Sequence, residues 1–233
     1  MSDFERYGDY NEIDEAPGKS KVGLVIKIIA LTLCFSVVGL LALRIISFNY
    51  YPKEMKTLYF NESLTSFYNE KNGDISALTQ KLRSPYDHAE EGNFIADNLI
   101  VIPEVNQLQL SVRYNISIAD TLANEYGLPD FDTDDFSKIS FRLYKSGESK
   151  NEEDHLTGNL SYSFWDRFLM YRYCKLVFDG VDLGLSEGAE KTEWIRIEIF
   201  IEGIEKPFMI PIFENNSDYS DFEDYELSAK EKP

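Results

Sequence analysis

The hydrophobic pattern of the chain changes character twice. Residues 22–48 read VGLVIKIIALTLCFSVVGLLALRIISF, with apolar side chains on every side of a helix. A helix without a polar face belongs in a bilayer or a protein core. Residues 24–46 make 23 positions, about 35 Å of helix against a hydrocarbon core of about 30 Å. Lys27 and Arg44 interrupt the run near its two ends, where long side chains carry their charge to the headgroups. The uninterrupted centre, residues 28–43, has 16 positions, a length that a cleaved signal or a buried soluble helix also reaches. A polar segment ahead of the run, apolar flanks and the lack of a small-x-small cleavage site predict a retained anchor instead.

Beyond the anchor the period becomes helical. Tyr50 and Tyr51 stand where an interfacial aromatic belt would lie, and Pro52 suits the first turn of a helix. Residues 53–69, with Met55, Leu58, Tyr59, Glu62, Thr65, Phe67 and Tyr68, predict an imperfect amphipathic helix ended by Asn72 and Gly73. Asp74 is placed to cap a second short helix carrying Ile75, Leu78 and Leu82, stopped by Ser84 and Pro85.

From residue 98 the period is two. Strands are predicted at residues 99–102, 107–114, 138–144, 171–178, 194–202 and 206–213. In the second, Leu108, Leu110, Val112 and Tyr114 share one face, while Gln107, Gln109, Ser111 and Arg113 share the other, the mark of a half-buried strand. Residues 117–126 interrupt the strands with a helix ended by Gly127 and Pro129, and residues 145–155 form a polar loop. Asp179 and Gly180 close a strand as a turn, and Gly203 joins the final two strands as a hairpin with Ile195, Ile197, Ile199 and Ile201 inward. The expected fold is mainly β: a single transmembrane helix and short juxtamembrane helices followed by an antiparallel β-sandwich-like domain. Its divisions are an acidic flexible cytosolic tail (1–21), the anchor (22–48), a juxtamembrane helical region (49–97), a β-rich extracytoplasmic domain (98–213) and an acidic disordered tail (214–233).

Charge narrows the partners. The 233 residues carry 23 Lys and Arg against 41 Asp and Glu, a formal charge of -18, which excludes a protein that works by neutralising nucleic-acid phosphates. The final segment has seven acidic residues against two lysines, a composition that favours disorder. Basic residues flank the anchor almost evenly, Lys19, Lys21 and Lys27 before it and Arg44, Lys53 and Lys56 around its end, so they do not fix the orientation. The long carboxyl-terminal part does: the expected location is the cell membrane, single-pass, amino terminus cytoplasmic and the following domain outside. Cys34 lies in the anchor and Cys174 in a strand, so no disulfide framework forms, and Cys174 is expected to be a small buried hydrophobe.

Candidate chemistry is sparse. Asp130, Asp132, Asp134 and Asp135 imitate the first half of a calcium loop, but Asp135 stands where that loop needs Gly and Phe141 where it needs Glu, so an acidic turn is expected. The two histidines, His88 and His155, assemble no zinc set. Cys174 among Leu176 and Phe178 is poorly placed as a nucleophile, the serines lack a nucleophile elbow, and residues 179–184 have neither the spacing nor the helix of a phosphate loop. Among 35 acidic residues beyond the anchor, a catalytic pair is undetectable by spacing. No catalytic, cofactor-binding or metal residue is therefore assigned, and no cofactor is expected. The densest aromatic patch, residues 162–171, offers Phe164 and Trp165 as ligand anchors if it is a loop and as core if it is not. Asn-x-Ser sequons stand at Asn61, Asn115, Asn159 and Asn215. The expected function is a membrane-anchored extracytoplasmic binding or scaffolding module. Its partners would be the bilayer, through residues 22–48, and a membrane or cell-surface protein. The competing readings are a membrane-tethered hydrolase of a surface polymer and an accessory subunit whose anchor packs on a membrane partner, with Ser36 and Gly39 as weak contact points.

Overall fold

The computed structural model describes residues 21–82, 90–91, 94–145, 155–181, 194–214 and 222–227. The amino-terminal tail, His88, Ser84 and Pro85, the loop after residue 145, Asn215 and most of the acidic tail fall outside the described residues. The chain divides into two compact units, Met1–Ile45 and Ile46–Pro233.

In the first unit, helix α1 (Lys21–Asn49 in full) is the one helix among the described residues long and apolar enough to cross a membrane. Its hydroxyls find partners within the helix: Thr32 donates to the Ile28 carbonyl and Ser36 to that of Thr32, each at 2.9 Å. In lipid such back-bonding leaves no hydroxyl unsatisfied.

The second unit is an antiparallel β domain of two sheets. Its strands are β1 (Leu78–Lys81), β2 (Glu90–Glu91), β3 (Phe94–Ile102), β4 (Gln107–Asn115), β5 (Ile139–Lys145), β6 (His155–Leu156), β7 (Asn159–Phe168), β8 (Tyr171–Asp179), β9 (Trp194–Ile201), β10 (Phe208–Glu214) and β11 (Glu223–Asp224). The larger sheet runs β11-β1-β3-β4-β8-β7 with β2 also on β3, and the smaller runs β10-β9-β5-β6. Alternation does what the sequence pattern dictates where the sheets face each other. Leu108, Leu110, Val112, Cys174, Leu176 and Phe178 of one sheet pack on Ile139, Phe141, Leu143, Ile195, Ile197 and Ile199 of the other. The β9–β10 hairpin forms as expected, turning at Gly203 with φ 91°, where a side chain would also strike Leu128. Helix α4 (Ile118–Tyr126) crosses between the sheets' strands and ends at Gly127 in the left-handed region, also as read from the sequence.

The outer face of β4 overturns an expectation. Gln107, Gln109, Ser111 and Arg113 are buried rather than solvated, as are Tyr173 and Lys175 beside them on β8. A strap of residues 47–61 lies over this face, followed by helix α3 (Glu62–Glu70), and a second core of Leu58, Leu64, Ala77, Ile100 and Ile102 fills the gap. The large sheet is thus covered on both faces. The single amphipathic helix expected over residues 53–69 is two pieces, α2 (Lys53–Lys56) and α3, with an irregular link between them.

The strap's helix ends and the links between them have no ladder to satisfy their inward backbone groups, so the sheet's polar side chains do so. Arg113 Nη1 donates to the Phe48 carbonyl (2.7 Å), Tyr173 Oη to that of Tyr50 (2.8 Å) and Lys175 Nζ to that of Thr57 (3.1 Å). Ser111 Oγ donates to the Met55 carbonyl. Gln109 clamps Tyr59 from both sides, accepting from its N–H at 2.9 Å and donating to its carbonyl at 2.7 Å. The polar half of the β4 alternation is a docking template for the chain's own amino-terminal segment.

Two further departures concern the flanks. The expected second short helix is the strand β1, because Leu78 and Gln80 pair with Val101 and Leu99 of β3, so the sheet includes residues ahead of 98, in β1, in β2 and in β3 from Phe94 on. Part of the acidic tail expected to be disordered is ordered on the sheet edge. Asp224 and Glu223 pair with Leu78 and Thr79, and Tyr225 Oη accepts from the Leu58 N–H at 3.0 Å. Phe222, Tyr225 and Leu227 supply the apolar contacts that hold it there.

Candidate functional site

The most chemically distinctive position is a cleft of about 480 Å³ between the strap and the larger sheet. Phe48, Tyr51 and Lys56 form the strap side, Thr79 and Lys81 come from β1, Asp97 and Asn98 from β3, and Arg113 from β4. Its origin is a β-bulge. β3 pairs Ala96 with Val112 and Asn98 with Ser111, leaving Asp97 as the extra residue. Ala96 and Leu99 both face the sandwich core, so the inserted residue lets the consecutive Asp97 and Asn98 both border the cleft. Without the bulge, alternation would send one of them into the core.

Asp97 stands 2.9 Å from Arg113 Nε, and neither atom has an aligned hydrogen-bond partner. The Tyr51 hydroxyl is buried beside Asp97, also without an aligned bond. Burial pushes the Asp97 carboxyl above the ordinary carboxylate range, and the cations Arg113 and Lys56 only partly offset it. Burial likewise holds the Tyr51 phenol well above its usual value. The Arg113 guanidinium is boxed by rings, 4.8 Å from the Phe48 centroid, 5.2 Å from Tyr171 and 5.9 Å from Tyr51. Lys56 Nζ lies 5.2 Å from the Tyr51 centroid. Among the described residues, three cationic side chains and one carboxylate border the cleft, a local positive excess on a strongly acidic chain.

A second, more open hollow of about 810 Å³ lies at the other end of the strap, lined by Tyr59, Glu62, Ser66, Ser161, Tyr162 and Asp179 among others. Its carboxylate Asp179 has a structural job: it accepts from Asn61 Nδ2 (2.9 and 3.2 Å) and Gln107 Nε2 (2.7 Å). Tyr59 and Tyr162 stack on each other at 3.8 Å. These groups tie strap to sheet.

The residues singled out in the sequence take other places. The aromatic patch is the strand β7 and its turn, not a loop. Trp165 is half-buried against the core, stacked on Phe136 at 4.2 Å, and packs near Phe141 and Tyr114. It fills space between the sheets. The acidic turn is spent on arginines and local bonds: Asp134 accepts from Arg172 and pairs with Arg167 at 3.6 Å, and Asp135 accepts from Ser137. The Arg172 hydrogen bond holds the Asp134 carboxyl below the ordinary range. No group of three metal-ligating side chains gathers among the described residues. Cys174 is buried in the sandwich core, and burial pushes its thiol well above the usual value. Asn61, one of the sequons, caps α3 by accepting from Leu64 N–H at 3.0 Å, whereas Asn159 is exposed.

Sequence reasoning missed the cleft because its members come from five separated segments, the strap, β1, β3, β4 and the segment holding Tyr225. One signal was present: Asp97 and Asn98 are two consecutive polar residues inside the otherwise apolar run of β3, where the bulge lies. Comparison with protein-family models, curated proteins and solved structures found no match, so the reading of this cleft rests on its geometry.

Proposed function

We propose that the chain is a single-pass membrane protein whose β domain, held outside the cytoplasm with the amino terminus inside, is a binding module that takes an anionic group of a cell-surface partner. The observation that carries this reading is the bulge at Asp97. It opens a cleft bordered by Lys56, Lys81 and Arg113 on a chain whose formal charge is -18. Against the repulsion of the net charge, a carboxylate or phosphate is attracted to this cleft, which is a means of specificity more than of affinity. Among the described residues the cleft is bordered by one carboxylate, that of Asp97.

The test is cross-linking of the tagged full chain in its own membrane, followed by mass spectrometry, against an anchor-swapped chain and a Lys56→Glu, Lys81→Glu variant. Both lysines are exposed, so the variant keeps the fold. A partner cross-linked through residues bordering the cleft, retained after the anchor swap and lost in the charge-reversed variant, supports the proposal. A partner set unchanged by charge reversal refutes the cleft as the site. A partner lost on the anchor swap instead assigns the interaction to the helix and the protein to a membrane complex.

A further inference from the structure

We infer that the turn between β7 and β8, Leu169 and Met170, is a second membrane contact, seating the β domain in the interfacial zone of the bilayer. The inference rests on the reading of residues 22–48 as a membrane anchor and adds to it a lipid-facing element that lies more than 120 residues further along the chain.

The turn is chemically unusual. Tight hairpin turns place residues in the left-handed region, where Gly, Asn and Asp are the ordinary occupants. Here Leu169 takes φ 48°, a conformation that costs a side-chain-bearing residue about 1 kcal/mol. That residue then leaves 51 % of its surface exposed, and Met170 leaves 37 %. Neither strain nor exposure of a large apolar side chain stabilises a domain surrounded by water. The exposure is accommodated if the tip faces an apolar medium.

Its position supplies that medium. The Met170 N–H donates to Ser47 Oγ at 3.3 Å, and the Met170 carbonyl accepts from Ile116 N–H at 2.9 Å. Ser47 directly follows Ile46, the end of the apolar span in sequence. Bilayer interfaces extend about 5–7 Å beyond the hydrocarbon on each side. A turn hydrogen-bonded to Ser47, at the carboxyl-terminal end of the anchor, therefore reaches this zone. Aromatic rings surround it: Tyr50, 40 % exposed, stacks on Phe168 with centroids 3.8 Å apart, and Phe48 meets Tyr171 edge-on at 6.2 Å. Tyrosines collect at headgroup level because one end of the ring is apolar and the other wet. The opposite end of β7 is the internal contrast. Leu160 is also exposed, at 40 %, but eight residues of strand put it about 27 Å from Phe168.

The experiment uses the full chain reconstituted in phosphatidylcholine vesicles with an environment-sensitive fluorophore on single cysteines. One sample carries it on the native Cys34. In a Cys34→Ser background, others carry it at Met170→Cys, Leu169→Cys or Leu160→Cys. Buried Cys174 stays unlabelled in each, and that protection also reports that the domain is folded. Spin-labelled lipids then read depth. The expected result is quenching at 34 by acyl-chain labels and quenching at 169 and 170 by headgroup or shallow labels, about threefold stronger than at 160. Quenching at 34 with 169 and 170 no different from 160 overturns the membrane-contact inference while leaving the anchor intact. Absence of quenching at 34 overturns the anchor reading itself, and the inference with it.

Discussion

Replacing Gln109 by Met tests whether the strap is held by side chains of the sheet. Gln109 is fully buried, and its amide makes two bonds to the Tyr59 backbone, at 2.9 and 2.7 Å, and one to Gln107 Oε1 at 2.8 Å. Methionine keeps the length and burial of the side chain but makes none of them. Three neutral hydrogen bonds at a net value of about 1 kcal/mol each give a loss of about 3 kcal/mol. The orphaned Tyr59 N–H and C=O push the figure up, and local movement that admits water pulls it down. With a urea m-value of about 2 kcal/mol/M, the midpoint should fall by about 1.5 M. The assay is urea unfolding of the full chain in detergent micelles, followed by tryptophan emission, since Trp165 is stacked on Phe136 in the sandwich. Ser163→Ala, on the exposed side of β7, is the control and should shift stability by less than about 0.5 kcal/mol. A Gln109→Met variant that moves no more than this control would refute the strap as a segment stapled by the polar face of β4.

Asp97 sets the sign of a pH effect. Its folded carboxyl is raised above the ordinary range by burial, so between those two values the folded state binds more protons and stability declines as pH rises through that window. Asp97→Asn should flatten that decline in urea midpoints measured across the acidic range, and parallel slopes in the two proteins would contradict the assignment. Asn61→Gln should destabilise by about 1 kcal/mol through loss of a helix cap, while Asn159→Gln, at an exposed position, should be silent within about 0.5 kcal/mol. Equal effects in differential scanning would refute the structural role of Asn61. A chain starting at Ile46 should remain folded, because Ser47 is buried and the Phe48 carbonyl binds Arg113. One starting at Glu62 should expose the outer face of the sheet and aggregate, and a monomeric folded product from it, seen by light scattering and circular dichroism, would count against the strap's role.

The β9–β10 hairpin and the inner face of β4 were legible because alternation has a fixed period and Ile195, Ile197, Ile199 and Ile201 leave no other register that buries them. The buried placement of Cys174 followed from the same alternation. The outer face of β4 was misread for a physical reason: Gln107, Gln109, Ser111 and Arg113 have the polarity of solvated residues. A side chain that hydrogen-bonds water and one that hydrogen-bonds a buried backbone have the same composition. β1 was misread as helix because four residues carry too little periodicity, and its strand form is decided by its pairing with β3. The ordered part of the acidic tail depends on Phe222, Tyr225 and Leu227, three apolar anchors whose partners lie on segments distant in sequence.

Properties that depend on one segment alone were determined by the sequence. An apolar run longer than the bilayer core makes a helix fit to span it, strict alternation makes strands, and the count of charges makes the chain acidic. What required the tertiary structure was everything built between segments: the strap on the sheet, the bulge that turns Asp97 and Asn98 to one side, and the cleft that gathers Lys56, Lys81 and Arg113 around Asp97. The reason is that hydrogen bonds and ion pairs act over a few ångströms of space. Which groups come that close is settled only when the two sheets and the strap have packed.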